Sequence, residues 1–301
     1  GVTDSLNHDS FKPTKGRGLS DLLATLLHAD EAGIKLATLS VMAATNAKGP
    51  YPLTFIAGSQ GSAKSTAGRT LKNILDPEQA DAISPPKNGQ DLLIIAKESN
   101  ITLIDNVSSI SLEMSDAYCR LATGGAMRGR KLYTNDESAV LEACCPVIMT
   151  GISSNAIKQD DLRDRCIFFE LKPIAPGERV AEKDYWESFE KLHPELLGSV
   201  CDGIVSALKN EKNVQINDLP RMADSLKWAT AAEEGLGLET GTFLGSGYFR
   251  TYNQFGKMTT YLGNGRDGGG YLRTNNKFET ETAFLGTNNS NEGLINLNDK
   301  F

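Results

Sequence analysis

The sequence predicts an α/β fold: a mainly parallel sheet covered by helices, then a helical lid and a short β-rich tail. Three observations predict it. Short apolar runs alternate with helical stretches from Leu53 to about Leu171. The pattern turns wholly helical from about Ala181 to Glu234. Beyond residue 243, Gly- and Asn-rich turns recur at a fixed interval.

The elements follow in order. Leu19, Leu22, Leu23, Leu26 and Leu27 recur at helical spacing, and Ile34, Leu36, Leu39 and Val41 continue the pattern until Gly49-Pro-Tyr-Pro52 breaks it. Residues 1–50 therefore read as an N-terminal helical segment. The sheet strands are expected at Leu53–Ala57, Ile101–Ile104, Pro146–Met149 and Cys166–Leu171. The intervening helices are expected at Ser65–Leu75, Gln90–Glu98 and Ser115–Ala122. This gives a core over 51–175. Trp186, Phe189, Leu192, Leu196, Val200 and Ile204 mark apolar helical faces in a lid over 176–242.

In the tail, Gly247, Gly270 and Gly293 stand 23 residues apart, and Phe255, Phe278 and Phe301 keep the same register. Segment 243–301 thus reads as a repeat of two short strands per unit. Two copies and a part are too few to bury a stable core alone, so a truncated or chimeric junction is expected near residue 243. Opening on Gly1 and closing in mid-pattern on Phe301, the chain reads as a fragment.

Composition narrows the function. Of 301 residues, 40% are hydrophobic and 23% charged, which is ordinary for a globular protein. The net charge of −7 does not advertise nucleic acid, so any such contact needs a local basic patch. No apolar run reaches membrane-spanning length, and no partner membrane is expected. Cys119, Cys144, Cys145, Cys166 and Cys201 lack metal-ligand spacing and their number is odd, favouring reduced thiols and a cytoplasmic setting.

The chemistry concentrates after the first strand. Gly58-Ser59-Gln60-Gly61-Ser62-Ala63-Lys64-Ser65-Thr66 follows an apolar strand and opens a helix. Such a loop turns its N–H groups onto phosphates, with Lys64 on the β- and γ-phosphates, the Ser65 hydroxyl on Mg²⁺ and the helix N-terminus facing the anion. It fits G-x-x-x-x-G-K-[ST] except at Ala63, which keeps small size but not the freedom of glycine. Asp105, just past Ile101–Ile104, is the expected second metal-side residue. Asn106 stands where a catalytic Glu is usual, so ATP binding is better supported than hydrolysis. Thr150 ends the strand at Pro146–Met149 and is a candidate γ-phosphate sensor. In Asp160-Asp-Leu-Arg163-Asp-Arg165, Arg165 is the candidate finger for the γ-phosphate of an adjacent subunit; a solvated salt-bridge cluster is the alternative. Arg128, Arg130 and Lys131, in a loop or hairpin over Gly124–Thr134, form the local basic cluster that could meet a nucleic-acid backbone.

Taken together, Gly58–Thr66, Ile104-Asp-Asn106, Ser115–Gly125, Lys131–Thr134, Pro146–Ile152, Asp161–Arg165 and Leu219–Asp224 resemble, in their order, ATP-binding proteins of phages, plasmids and mobile elements. These are relatives of the primase-associated, superfamily 3-like helicase ATPases. The resemblance covers roughly Gly16 to Thr242. It implies an AAA+-like P-loop NTPase, Mg-ATP, a homo-oligomeric ring with Arg165 as a finger in trans, and a role on DNA in mobile-element replication. Ala63, and Thr150 where the family carries Asn, depart from the pattern and make turnover conditional. The tail instead resembles fibre-like β-repeats. Two alternatives stand beside an ATPase motor: an ATP-binding regulatory module with little hydrolysis, and a structural β-repeat protein with a relic P-loop.

Overall fold

A computed structural model describes residues 12–77, 82–130, 138–175, 177–216, 220–238 and 243, together with five strands of the tail. The chain divides into two compact units, Gly1–Thr240 and Gly241–Phe301.

The first unit opens with helices α1 (Leu19–Leu26) and α2 (Glu31–Ala44). The leucines of α1 at positions 19, 22, 23 and 26 are all buried, which is the stripe their spacing encodes. Asp30 caps α2 by accepting the Gly33 N–H at 2.7 Å. Then follow β1 (Leu53–Gly58), α3 (Lys64–Leu75), α4 (Gly89–Glu98), β2 (Thr102–Ile104) and α5 (Leu112–Thr123). A hairpin of β3 (Ala126–Arg130) and β4 (Ser138–Glu142) precedes β5 (Val147–Gly151), α6 (Asp160–Arg163) and β6 (Cys166–Leu171). Long helix α7 (Glu182–Asn210) and α8 (Ala223–Ala232) complete the unit.

Strands β1, β2, β5 and β6 form one parallel sheet in the order β2-β5-β1-β6. All six residues of β1 are buried, as a central strand covered on both faces requires. Leu53, Phe55 and Ala57 point to the face packed by Leu92 and Leu93 of α4 and Tyr118 and Leu121 of α5. Thr54 looks the other way, toward Val41 of α2 and Leu71 of α3. Each fully buried Leu or Phe of this kind contributes about 1.5–3 kcal/mol.

Single bridges cover the two edges: Ala29 pairs with Leu171 beside β6, and Ile83 pairs with Ile104 beside β2. The second of these escaped the sequence pattern, because one bridging residue leaves no periodicity to read.

Helix α7 runs through Pro194 without a break. The segment before α1 crosses it there: the Thr14 N–H donates to the Pro194 carbonyl at 2.9 Å, and Arg17 pairs with Glu195 at 3.0 Å. Trp228 of α8 donates to Thr45 Oγ1 at 3.0 Å, tying the last helix to the end of α2. Among the described residues no helix is long and apolar enough to cross a membrane.

The second unit contains β7 (Phe249–Tyr252), β8 (Met258–Asn264), β9 (Gly270–Asn275), β10 (Glu281–Thr287) and β11 (Gly293–Leu297). They pair antiparallel in sequence order as a meander. The repeat positions Gly247, Phe255, Phe278 and Phe301 lie outside the described residues.

One buried ion pair ties α3 to the sheet. Lys72 and Asp76, a turn apart at the end of α3, meet at 2.7 Å with side chains only 2% and 3% exposed. Asp76 also accepts the Ile101 N–H at 3.0 Å and the Asn100 amide at 3.3 Å, fixing the entry into β2. Burial pushes the Asp76 carboxyl up, but the hydrogen bonds from Lys72, Ile101 and Asn100 outweigh it and hold it below its ordinary 3.8. Asp76→Asn leaves a buried, uncompensated ammonium and should cost about 3–5 kcal/mol in urea denaturation at neutral pH. A carboxyl depressed in the folded state stabilises fully above its unfolded value and loses that contribution as pH falls through the folded one. The gap between wild type and variant should therefore narrow below about pH 4.

Candidate functional site

The carboxyl ends of β1, β5 and β2 bring the site together. After Gly58 the chain turns through Gly61 (φ 78°) and Ala63 (φ 59°, ψ 33°) before α3 begins at Lys64. No side chain caps α3, as none caps α1, α6, α7 or α8, whereas Asp30, Asn88 and Ser111 cap α2, α4 and α5. The first N–H groups of α3 therefore lack a side-chain acceptor at the positive end of the helix dipole. Within the loop, the Ser62 N–H and hydroxyl both turn back onto the Ser59 carbonyl, at 3.3 and 2.9 Å. Lys64 Nζ donates to the same carbonyl at 2.6 Å. This bond folds the ammonium over the loop.

Gly68 sets the depth of α3 against the sheet. A Cβ there would lie 2.8 Å from Leu103 Cδ1 and 3.2 Å from Thr150 Cγ2, so a larger residue would require those side chains or the helix to shift. The approach puts Ser65 Oγ 2.9 Å from both carboxylate oxygens of Asp105, to which it donates. The Thr150 hydroxyl donates a short hydrogen bond to Asp105 Oδ1 and accepts the Asn106 N–H at 3.1 Å. Backbone bonds complete the frame: the Asp105 N–H donates to Ile83 O at 2.9 Å and the Val107 N–H to Thr150 O at 2.7 Å. Lys64, Ser65, Asp105, Asn106 and Thr150, expected from separate stretches of sequence, thus converge on one strand edge.

Asn106 is exposed and left-handed, at φ 61°. Ala63 and Asn106 are the two non-glycine residues with positive φ among the described residues, and both flank this cluster. Asn tolerates the left-handed region through its short polar side chain, whereas Ala does so at a steric cost of about 1–2 kcal/mol.

The oxygens that meet here suit a hard cation. One hydroxyl and one carboxylate match the way Mg²⁺ is held by one or two protein oxygens plus substrate phosphates. Among the described residues no group of three or more His, Cys, Asp or Glu could form an all-protein metal cage. Beside the loop opens a cavity of about 330 Å³, lined by Leu26, Leu27 and His28 at the end of α1, by Ser62, Ala63, Ser65 and Thr66, and by Ile174, Val180 and Tyr185. Its lining mixes apolar walls with the hydroxyls of Ser62, Ser65 and Thr66, the Arg69 cation and the carboxylates of Glu178 and Glu182.

Arg165 is not part of this assembly. Its carbonyl accepts the Leu53 N–H at 2.9 Å, so it sits at the amino end of β6, the opposite end of the sheet from the loop. Six residues of strand put roughly 20 Å between the two ends. The side chain is 9% exposed and paired with Asp161 at 2.7 Å, and its Nε has no partner among the described residues. Arg221, half exposed, meets the same Asp161 oxygen at 2.9 Å. The hydrogen bond from Arg165 holds the Asp161 carboxyl below the usual carboxylate range. Burial, with the hydrogen bond to Asp161, raises the Cys119 thiol to about 11, so it stays a neutral thiol near pH 7. Arg163 instead donates to the Ile157 carbonyl at 2.9 Å and lies over the Phe168 ring at 5.3 Å.

Arg128 and Arg130 belong to β3, opposite Val140 and Ser138 of β4; the loop of the expected basic cluster is a hairpin, and Lys131 lies outside the described residues. Residues that the sequence did not flag also border the site. Arg179 rests on the loop at Gly61, and Tyr185 shares a 2.7 Å hydrogen bond with Thr70 of α3. Neither carries a motif; a cation in a Pro- and Gly-containing linker and an aromatic in a helix are ordinary in isolation.

Residues 20–243 match the family model described as the actinomycete integrative conjugative element replication protein. Curated proteins include no match. Among solved structures the chain is similar to the apo A form of the NrS-1 C-terminal region, with 15% identity and a TM-score of 0.46 over 63% of this chain and 46% of that one. It thus spans under half the length of that relative. A second apo structure of the NrS-1 C-terminal region, residues 305–718, aligns at 16% identity and a TM-score of 0.44 over 82% of this chain and 76% of that one.

Relief of the left-handed alanine is measurable. Ala63→Gly should raise unfolding stability by up to about 1 kcal/mol, the strain removed less the added freedom of the unfolded chain. A loss of stability in chemical denaturation would show that Ala63 is not strained.

Proposed function

The chain belongs to the family of actinomycete integrative conjugative element replication proteins, and from that premise we propose that it is a Mg-ATP-binding ATPase acting on DNA when such an element replicates. The observation that carries this reading is the convergence of Lys64, Ser65, Asp105 and Thr150 beside the uncapped start of α3. The family match covers the first unit almost entirely and ends at residue 243, so the function is assigned to that unit rather than to the tail.

In this reading Lys64 leaves the Ser59 carbonyl for the β- and γ-phosphates, and the N–H groups opening α3 take the remaining oxygens. Ser65 and Asp105 hold Mg²⁺, whose charge offsets that of the phosphates. Thr150 fixes the orientation of Asp105 and, through the Asn106 N–H, the turn that follows it. The apolar side of the cavity at Leu26, Ile174 and Val180 suits the base. Arg165, about 20 Å from the loop of its own chain, serves a neighbouring subunit in a ring, which requires its pair with Asp161 to open. The β3–β4 hairpin, carrying Arg128 and Arg130, is the proposed DNA contact.

A second reading, an ATP-dependent switch with little turnover, is favoured by Asn106. Its carboxamide cannot accept a proton from water as a carboxylate does.

Fluorescent ATP binding and phosphate release, each with and without single-stranded DNA, test both. Wild type should bind Mg-ATP, Lys64→Ala should weaken binding at least ~10-fold, and DNA should accelerate phosphate release. Tight binding with no release under either condition would select the switch. Absence of binding by wild type would remove the nucleotide reading altogether.

A further inference from the structure

The segment between β6 and α7 is held at both ends beside the phosphate-type loop. At its start the Lys172 N–H donates to the His28 carbonyl at 2.6 Å. At its end Glu182 pairs with Arg69 of α3 at 3.1 Å, and the Tyr185 hydroxyl bonds Thr70 at 2.7 Å and the Leu26 carbonyl at 3.3 Å. Between these anchors Arg179 reaches the loop. A Cβ built on Gly61 would lie 3.2 Å from Arg179 Nη2 and 3.9 Å from its Cζ. The guanidinium therefore lies against the bare backbone of Gly61, whose φ of 78° also favours glycine.

Among the described residues this cation lacks an anion. Arg179 has no hydrogen-bond or ion-pair partner among the described residues, in contrast to Arg69 beside it. Two carboxylates line the adjoining cavity: Glu182 is engaged by Arg69, and Glu178 makes no ion pair with Arg179 among the described residues. A free guanidinium, the Lys64 ammonium and the uncapped positive end of α3 thus share one small region. Cations gathered this way repel one another until an anion fills the space between them. A guanidinium is also the side chain best shaped to grip phosphate oxygens in pairs.

We propose that Arg179 binds the phosphate chain of the nucleotide held by its own subunit, as a second cation beside Lys64. This rests on the ATP-binding reading above and assigns a residue to it that lies outside the loop motif. Because Arg179 belongs to the segment leading into α7, its grip would tie the bound phosphates to that long helix.

Titration of the full chain with fluorescent ATP and AMP, comparing wild type, Arg179→Ala and Arg179→Lys, tests the assignment. Arg179→Ala should weaken ATP binding ~10-fold, the loss expected for one charge-assisted contact, and AMP binding far less. Arg179→Lys should recover part of the loss, with melting temperatures unchanged. Equal ATP affinity in wild type and Arg179→Ala overturns the role of Arg179 while leaving the nucleotide reading intact. Equal weakening for ATP and AMP overturns it too, since a merely structural residue would act that way. Wild type that binds neither nucleotide removes the nucleotide reading itself, and the role of Arg179 with it.

Discussion

Three chain segments far apart in sequence meet on the carboxylate of Asp105, which takes hydrogen bonds from the hydroxyls of Ser65 and Thr150. Strand order contributes: β5 lies between β1 and β2, which brings Thr150 beside Asp105 and both beside the loop that follows β1. Close packing adds the second condition. The missing side chain at Gly68 lets α3 sink onto Leu103 and Thr150 until Ser65 comes within hydrogen-bond distance of Asp105. Ile83 on one side and Thr150 on the other then pin the backbone around the carboxylate. The hydroxyls of Ser65 and Thr150, the Asp105 carboxylate and the Asn106 N–H thus satisfy one another.

Backbone strain marks the same place from another direction. Ala63 and Asn106 occupy the left-handed region on the two sides of the cluster. At Ala63 the left-handed conformation leads the loop into α3, and glycine would adopt it at lower cost. At Asn106 it turns the N–H toward Thr150 while the next N–H reaches the Thr150 carbonyl. Asn adopts such a turn readily; Glu, with a longer side chain and no local hydrogen bond to support it, does not. Position 106 thus favours a residue that turns the chain over one that would take a proton.

How much of this could be read from sequence follows from the range of each interaction. The loop at Gly58–Thr66 was legible because strand, turn and helix start are adjacent in the chain. Asp105 and Thr150 were legible as strand ends, since polar residues closing apolar runs lie at the sheet edge. Their hydrogen bond to each other was not, because it depends on strand order, which local periodicity does not encode. The same holds for the Ile83 bridge and for the anchors that bring Arg179 to Gly61. Lys72 and Asp76 stand four residues apart, a spacing that says nothing of burial; the packing of α3 against the start of β2 buries them. The hairpin at β3–β4 was one of two shapes the glycines allowed, and antiparallel pairing with Ser138–Glu142 decides between them.

The parallel sheet gives the unit a polarity that bears on assembly. Lys64, Arg179 and the start of α3 gather at the carboxyl edge, whereas Arg165 and Arg221 converge on Asp161, Arg165 standing at the amino edge of β6. A strand length of roughly 20 Å exceeds the reach of an arginine side chain, so Arg165 and the loop of one chain cannot act on the same phosphate. In the ring proposed above, a nucleotide met by Arg165 would be one bound by another copy. Asp161 pairs with Arg165, and the half-exposed Arg221 shares the same carboxylate oxygen. Release of Arg165 toward a neighbour's phosphates in that ring would therefore leave the Asp161 carboxylate paired with Arg221.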